Sequence, residues 1–220
     1  MKKLLIVLMF LPLFLQAQTG DDELVNPKML IHDIKIDLRY ASADHKFLST
    51  PDGDIQLPKL YTANECLTTL SAVKRLKAAQ DTLRNIRQHN GKEYPEGIGI
   101  KIWDAYRPRA VQYVFWEIYP NPSYVADPRS GSMHNRGGAI DLTLVDLATG
   151  EELQMPTEFD DFSVRASHGY DDLPEDVIAN RKLLLDIMVR LAGFESYSAE
   201  WWHYNVPEAN SYPLMDFQMK

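Results

Sequence analysis

Covalent scaffolding is almost absent from these 220 residues, because Cys66 is the single cysteine. An internal disulfide is therefore excluded, and the fold must rest on core packing and on any metal it binds. Cys66 itself, set among helix-forming residues, is expected to be a small buried hydrophobe rather than a nucleophile. Long apolar runs are missing too. The one hydrophobic stretch begins at Leu4 and stops at Leu15, short of the roughly 20 residues that a spanning helix needs. Lys2 and Lys3 precede it and Gln16-Ala17-Gln18 follows, so residues 1–17 read as a secretory leader cut after Ala17. No cysteine lies near its end to carry a lipid. The expectation is an exported, periplasmic chain of residues 18–220, with no stable membrane insertion after cleavage. Basic runs interleaved with aromatics, internal repeats and low-complexity tracts are also lacking. The formal charge of −8 becomes −10 when Lys2 and Lys3 leave with the leader, so nucleic acid is not an expected partner.

An apolar share of 45% at this length fits one domain around one hydrophobic core. Alternation over residues 32–38 predicts a half-buried strand. Residues 49–54, with Pro51 and Gly53, read as a turn-rich loop able to cover a cleft. Thr62 and Glu65 make a capping box ahead of Leu70, Val73, Leu76, Ala79, Leu83 and Ile86, which predicts a long helix ending at His89-Asn90-Gly91. A strand over residues 98–103 leads into Asp104-Ala105-Tyr106-Arg107-Pro108, and Pro108 suits the first turn of a helix through Phe115. Arg107 is thereby placed at a strand-to-helix junction, where side chains overlook clefts. Pro174 opens a mostly buried helix that Gly193 ends, and residues 201–206 read as a last strand. Residues 149–175 carry no pattern that assigns their path. Short connections favour an α+β domain with a central, mainly antiparallel sheet flanked by helices. Nothing in the pattern sets an oligomeric state.

Chemistry concentrates in Ser132-Met133-His134-Asn135-Arg136-Gly137-Gly138-Ala139-Ile140-Asp141. The two glycines let His134 and Asp141 turn toward one point. A third ligand, His203, stands in Glu200-Trp201-Trp202-His203-Tyr204. Two histidines and a carboxylate make an open zinc pattern, one Zn2+ per chain, with the fourth position left to a water whose acidity the metal raises. Glu200 then suits a general base that later acts as acid. In a straight strand, residues three apart face opposite ways, so Glu200 and His203 share a site only if the chain bends at Trp201-Trp202. Arg107 suits the negative charge of a tetrahedral intermediate; the plainer reading is a helix cap or a pair with Asp104. His32, His45, His89 and His168 lack ligand spacing and read as surface or core residues. Trp103, Trp201 and Trp202 read as core and cleft wall.

Taken in order, Asp37-Leu38-Arg39-Tyr40-Ala41, Trp103-Asp104-Ala105-Tyr106-Arg107-Pro108-Arg109-Ala110-Val111, residues 132–144, Thr149-Gly150-Glu151, Phe159-Asp160, Gly193-Phe194-Glu195 and residues 197–204 resemble a known family. It is that of the VanX-type D-alanyl-D-alanine dipeptidases, zinc metallopeptidases that share their fold with the hedgehog signalling domain. The resemblance implies zinc on His134, Asp141 and His203, Glu200 as base and Arg107 at the transition state. It adds Asp160 for the substrate's ammonium, with Ser132 and Tyr40 lining the dipeptide pocket. Hydrolysis of a small D-amino dipeptide, D-Ala-D-Ala, is the implied activity. An export leader turns that activity toward peptidoglycan turnover rather than depletion of a cytosolic pool. Two departures from the glycopeptide-resistance enzymes stand out: the leader, and a shorter connection between the Arg107 helix and Ser132 that bears on how the pocket closes. The alternatives are a D,D- or L,D-carboxypeptidase or endopeptidase on longer stem peptides, and a non-catalytic, zinc-stabilised wall-binding module. Against the latter, a structural zinc needs neither Glu200 nor Arg107.

Overall fold

A computed structural model describes residues 20–42, 47–62 and 65–218. The expected leader and His45 lie outside the described residues. Five strands form the central sheet: β1 (Lys35–Ile36), β2 (Ile98–Asp104), β3 (Ala139–Asp146), β4 (Glu195–Ser196) and β5 (His203–Asn205). Their order is β4-β5-β3-β2-β1. Neighbours run antiparallel except β1 with β2, which are parallel. With helices α1 (Leu70–Leu83), α2 (Arg109–Ile118) and α3 (Glu175–Leu185), this is a single α+β domain. Among the described residues no helix is long and apolar enough to cross a membrane.

The middle strand β3 is buried along its whole length, so it reads as a nearly continuous apolar run instead of alternating. Its polar members, Asp141, Thr143 and Asp146, are buried exceptions that call for partners. In α1, Val73, Leu76, Ala79 and Leu83 recur at helical spacing and are fully buried; burying a side chain of the Val or Leu type stabilises the fold by roughly 1.5–3 kcal/mol.

Several expected boundaries move. Helix α1 starts at Leu70, not behind Thr62, because the Thr69 hydroxyl accepts the Ala72 amide at 3.4 Å and caps the helix. It also ends earlier, at Leu83. Asn90 and Gly91, with φ of 50° and 73°, turn a hairpin between Gln88–His89 and Lys92–Glu93. Two left-handed residues at the centre of a two-residue loop mark the hairpin turn for which Asn-Gly is preferred. Cys66 precedes α1 instead of sitting in it. It is buried as expected, and burial pushes its thiol far above the ordinary range, which leaves it inert.

The first strand shortens to Lys35–Ile36 and gives way to the 3-10 turn Arg39–Ala41, which carries Tyr40 into the core. Residues 51–52 do turn, but their flanks are paired strands, Phe47–Thr50 with Gly53–Gln56. Helix α3 continues as a π-helical turn, Asp186–Leu191, before Gly193 (φ 73°). The unassigned residues 149–175 fold back on the sheet, with Glu152 bridged to Val145 and Asp161 to Ser49.

One of the histidines without ligand spacing has a measurable consequence. His168 packs against Tyr204, and among the described residues neither of its ring nitrogens has a hydrogen-bond partner. Burial, then the nearby Arg181 guanidinium, lowers its pKa from 6.5 to about 4. The ring is therefore neutral in the fold, while the unfolded chain takes up a proton near 6.5. Its contribution is complete above that value and is lost as pH falls toward 4, by up to about 3 kcal/mol. Urea unfolding at pH 7 and pH 4.5 should show a larger loss for the native chain than for His168→Phe. Equal losses would show that the ring is not protonated on unfolding.

Candidate metal centre

Pairing of β3 with β5 sets His203 directly opposite Asp141. His134 comes from the 3-10 turn His134–Arg136, which Gly137 closes with φ of 67°. Gly138 then passes so near Ala209 that a Cβ on it would lie 2.2 Å from the alanine's. The glycine pair thus delivers His134 to the end of the strand that carries Asp141.

The second nitrogen of each ring is held by an oxygen. His134 Nδ1 lies 2.7 Å from the Ala105 carbonyl, which can only accept, so this nitrogen carries the proton. His203 Nε2 lies 3.0 Å from Asn205 Oδ1 and donates there. The remaining nitrogens, His134 Nε2 and His203 Nδ1, face each other bare at 3.3 Å. Asp141 stands 2.9 Å from the latter and 3.4 Å from the former. Three such electron-rich atoms, all within 4.8 Å of one another, are mutually repulsive without a cation and well disposed around one. Histidines oriented through their far nitrogens are usual at metal sites.

The bend required of residues 200–203 is present. Glu200 donates its amide to Tyr197 O at 3.2 Å, His203 donates to Glu200 O at 3.4 Å, and the strand begins only at His203. Trp201 and Trp202 anchor this turn in the core. Glu200 Oε2 consequently sits 3.8 Å from His203 Nδ1. Burial pushes the Glu200 carboxyl up to about 8, opposed by His203 and reinforced by Asp141 and Asp160.

Arg107 makes the pair with Asp104 that the plainer reading described. Its Nη2 and Nε donate to one Asp104 oxygen at 2.7 and 3.0 Å, and Nη1 donates to Gln112 Oε1 at 3.0 Å. These contacts aim the guanidinium at the site, with Nη2 4.0 Å from Asp141 Oδ2. A register shift between Ile102 and Asp104 in β2 accompanies this placement of Asp104, as bulges often do beside functional sites. Asn135 braces the same corner, donating to Arg107 O at 2.9 Å and accepting the Ser132 amide at 2.8 Å.

Asp160 is buried with φ of 61°, a left-handed conformation that aspartate tolerates better than most residues. Ser49 ties it from both sides, donating to Asp160 O at 2.9 Å and accepting from Phe162 at 2.7 Å. The Tyr40 hydroxyl donates to its carboxylate at 2.8 Å. Tyr40, Arg107, Ser132, His134, Asp141, Asp160, Glu200 and His203 all line one cavity of about 280 Å³. Every site residue expected from the sequence is therefore brought together. Other lining residues went unforeseen: Gln112, Tyr124, Phe162, Tyr197 and Asn205. Asn205 was within reach of sequence reasoning, since two residues after His203 on a strand is the same face.

A sequence model of a family described as D-Ala-D-Ala dipeptidase matches residues 21–219. Among curated proteins, the D-alanyl-D-alanine dipeptidase of Escherichia coli (strain K12) is 35% identical, covering 88% of this chain and 89% of its own length. Similar proteins of the same name come from Enterococcus faecium, 32% identical over 87% and 95% of the two chains, and from Streptomyces coelicolor, 34% identical over 86% and 93%.

Proposed function

Because the chain belongs to the D-Ala-D-Ala dipeptidase family of metallopeptidases, we propose that it hydrolyses free D-alanyl-D-alanine to two D-alanines, using zinc held by His134, Asp141 and His203. The observation that carries this reading is the convergence, in one cavity, of that donor set with a buried glutamate, an oriented arginine and the separate carboxylate of Asp160. Zinc suits two imidazoles and a carboxylate, and when bound it polarises a carbonyl and acidifies water. Glu200 takes the proton of the attacking water and delivers it to the leaving amine. Arg107 offers its guanidinium to the oxyanion as the carbonyl becomes tetrahedral. Asp160, oriented by Tyr40, receives the substrate's ammonium, and Ser132 lines the dipeptide pocket.

A carboxylate reserved for a free amino terminus favours a dipeptide over a longer stem peptide. Zinc chemistry on a fold of the hedgehog type, export behind residues 1–17 and a part in peptidoglycan turnover belong to the same proposal. With residues 18–220 purified and loaded with zinc, D-Ala-D-Ala is expected to release D-alanine. L-Ala-L-Ala, N-acetyl-D-Ala-D-Ala and a D-Ala-D-Ala-terminated pentapeptide are expected to remain intact. Cleavage of the pentapeptide would move the assignment to a wall carboxypeptidase, and zinc binding with no cleavage of any of them would favour a binding module.

A further inference from the structure

The connection after α2 lines the cleft from Pro122 to Ala126. Residues 120–126 fold over it as a compact turn. Asn121 O accepts the Tyr124 and Val125 amides at 3.1 and 2.8 Å, and Asn121 Oδ1 accepts the Ser123 amide at 3.0 Å. Three ties then hold the turn down. Gln112 Nε2 donates to Ala126 O at 2.9 Å. Tyr124 stacks on Phe162 with ring centroids 4.7 Å apart and planes within 15°. From the opposite wall, the Tyr197 hydroxyl donates to Ser123 O at 2.7 Å. Tyr197 belongs to the turn that positions Glu200, whose amide it accepts, and its ring meets His203 edge to face.

The location of this roof is informative, because Phe162 follows Asp160 by two residues and Gln112, Ser123, Tyr124, Phe162 and Tyr197 line the same cavity as Asp160. We infer that the Tyr197–Ser123 hydrogen bond, beside His203, and the Tyr124–Phe162 stack, beside Asp160, together roof the cleft between the metal ligands and Asp160 and set the length of substrate it accepts. This inference rests on the dipeptidase reading. A substrate whose ammonium meets Asp160 and whose scissile carbonyl lies beside His134, Asp141 and His203 fills the space between them. A residue added to its amino end runs into the Tyr124 and Phe162 rings. Tyr124 and Tyr197 are thus specificity-determining residues that take no part in bond making.

The test compares kcat/KM for D-Ala-D-Ala and tri-D-alanine in the zinc-loaded native chain, Tyr197→Phe and Tyr124→Ala, with zinc content measured in each. Tyr197→Phe removes a single hydroxyl, and losing one hydrogen bond should raise the tripeptide-to-dipeptide ratio by up to about tenfold. Tyr124→Ala, which removes a wall, should raise it further. A general structural loss would lower both substrates together and leave the ratio unmoved. Unchanged ratios in both variants of an active dipeptidase would overturn the roof assignment alone. A native chain that cleaves tri-D-alanine as well as the dipeptide, or cleaves neither, would overturn the dipeptidase reading and this one with it.

Discussion

Replacing Glu200 with glutamine is expected to lower kcat by about 10² to 10⁴, the range that a positioned general base supplies, with zinc still bound in one equivalent. Glutamine keeps the size of the side chain and its place in the turn before β5, but it cannot accept the proton of water. The same change should stabilise the metal-free fold in alkaline solution. Burial raises the folded pKa of Glu200 from 4.5 to about 8. Its favourable contribution is therefore complete below about pH 4.5 and is lost as pH rises through 8. Glutamine does not titrate, so thermal unfolding of the zinc-free variant should match the native chain at pH 4.5 and exceed it at pH 9. Turnover near the native level would end the assignment of Glu200 as the base.

Arg107→Lys is the second large effect, a fall in kcat of about 10² to 10³ with little change in KM. Lysine retains the charge but loses the planar fork. It cannot donate at once to Asp104 and Gln112 as the guanidinium does, nor lie across the Tyr40 and Phe115 rings, whose centroids are 5.2 and 4.7 Å from Cζ. Arg107→Ala is the poorer probe. It would strand the buried Asp104 carboxylate, and breaking a buried pair in this way costs about 3–5 kcal/mol. Steady-state kinetics on D-Ala-D-Ala separate the possibilities, since a rise confined to KM would mark Arg107 as a substrate anchor instead.

Ligand atoms were legible in the sequence because their chemistry is local. His134 and Asp141 are joined by a short glycine-broken link, and Glu200 reaches His203 through a single turn. Helix limits were less so. Asn-Gly serves both as a helix stop and as a hairpin turn, and the apolar period through Ile86 supported the first reading. Only the pairing of Gln88–His89 with Lys92–Glu93 decides for the second. The Thr62–Glu65 box likewise matched a cap that Thr69 actually provides. The roof had no sequence signal at all. Ser123, Phe162 and Tyr197 lie on separate connections, and their meeting depends on how those connections cross in space, which neither periodicity nor spacing encodes.

Gln112 joins two properties that are usually adjusted separately. Through its oxygen it holds the Arg107 guanidinium, and through its nitrogen it holds the roof at Ala126. One amide cannot follow a displaced loop and still keep the arginine where it is. Any remodelling that lifts residues 120–126 to admit bulkier peptides thus also loosens the group assigned to the transition state. Broadened selectivity in this scaffold should arrive together with slower turnover, and recovering speed would require a new brace for Arg107 supplied from elsewhere in the fold.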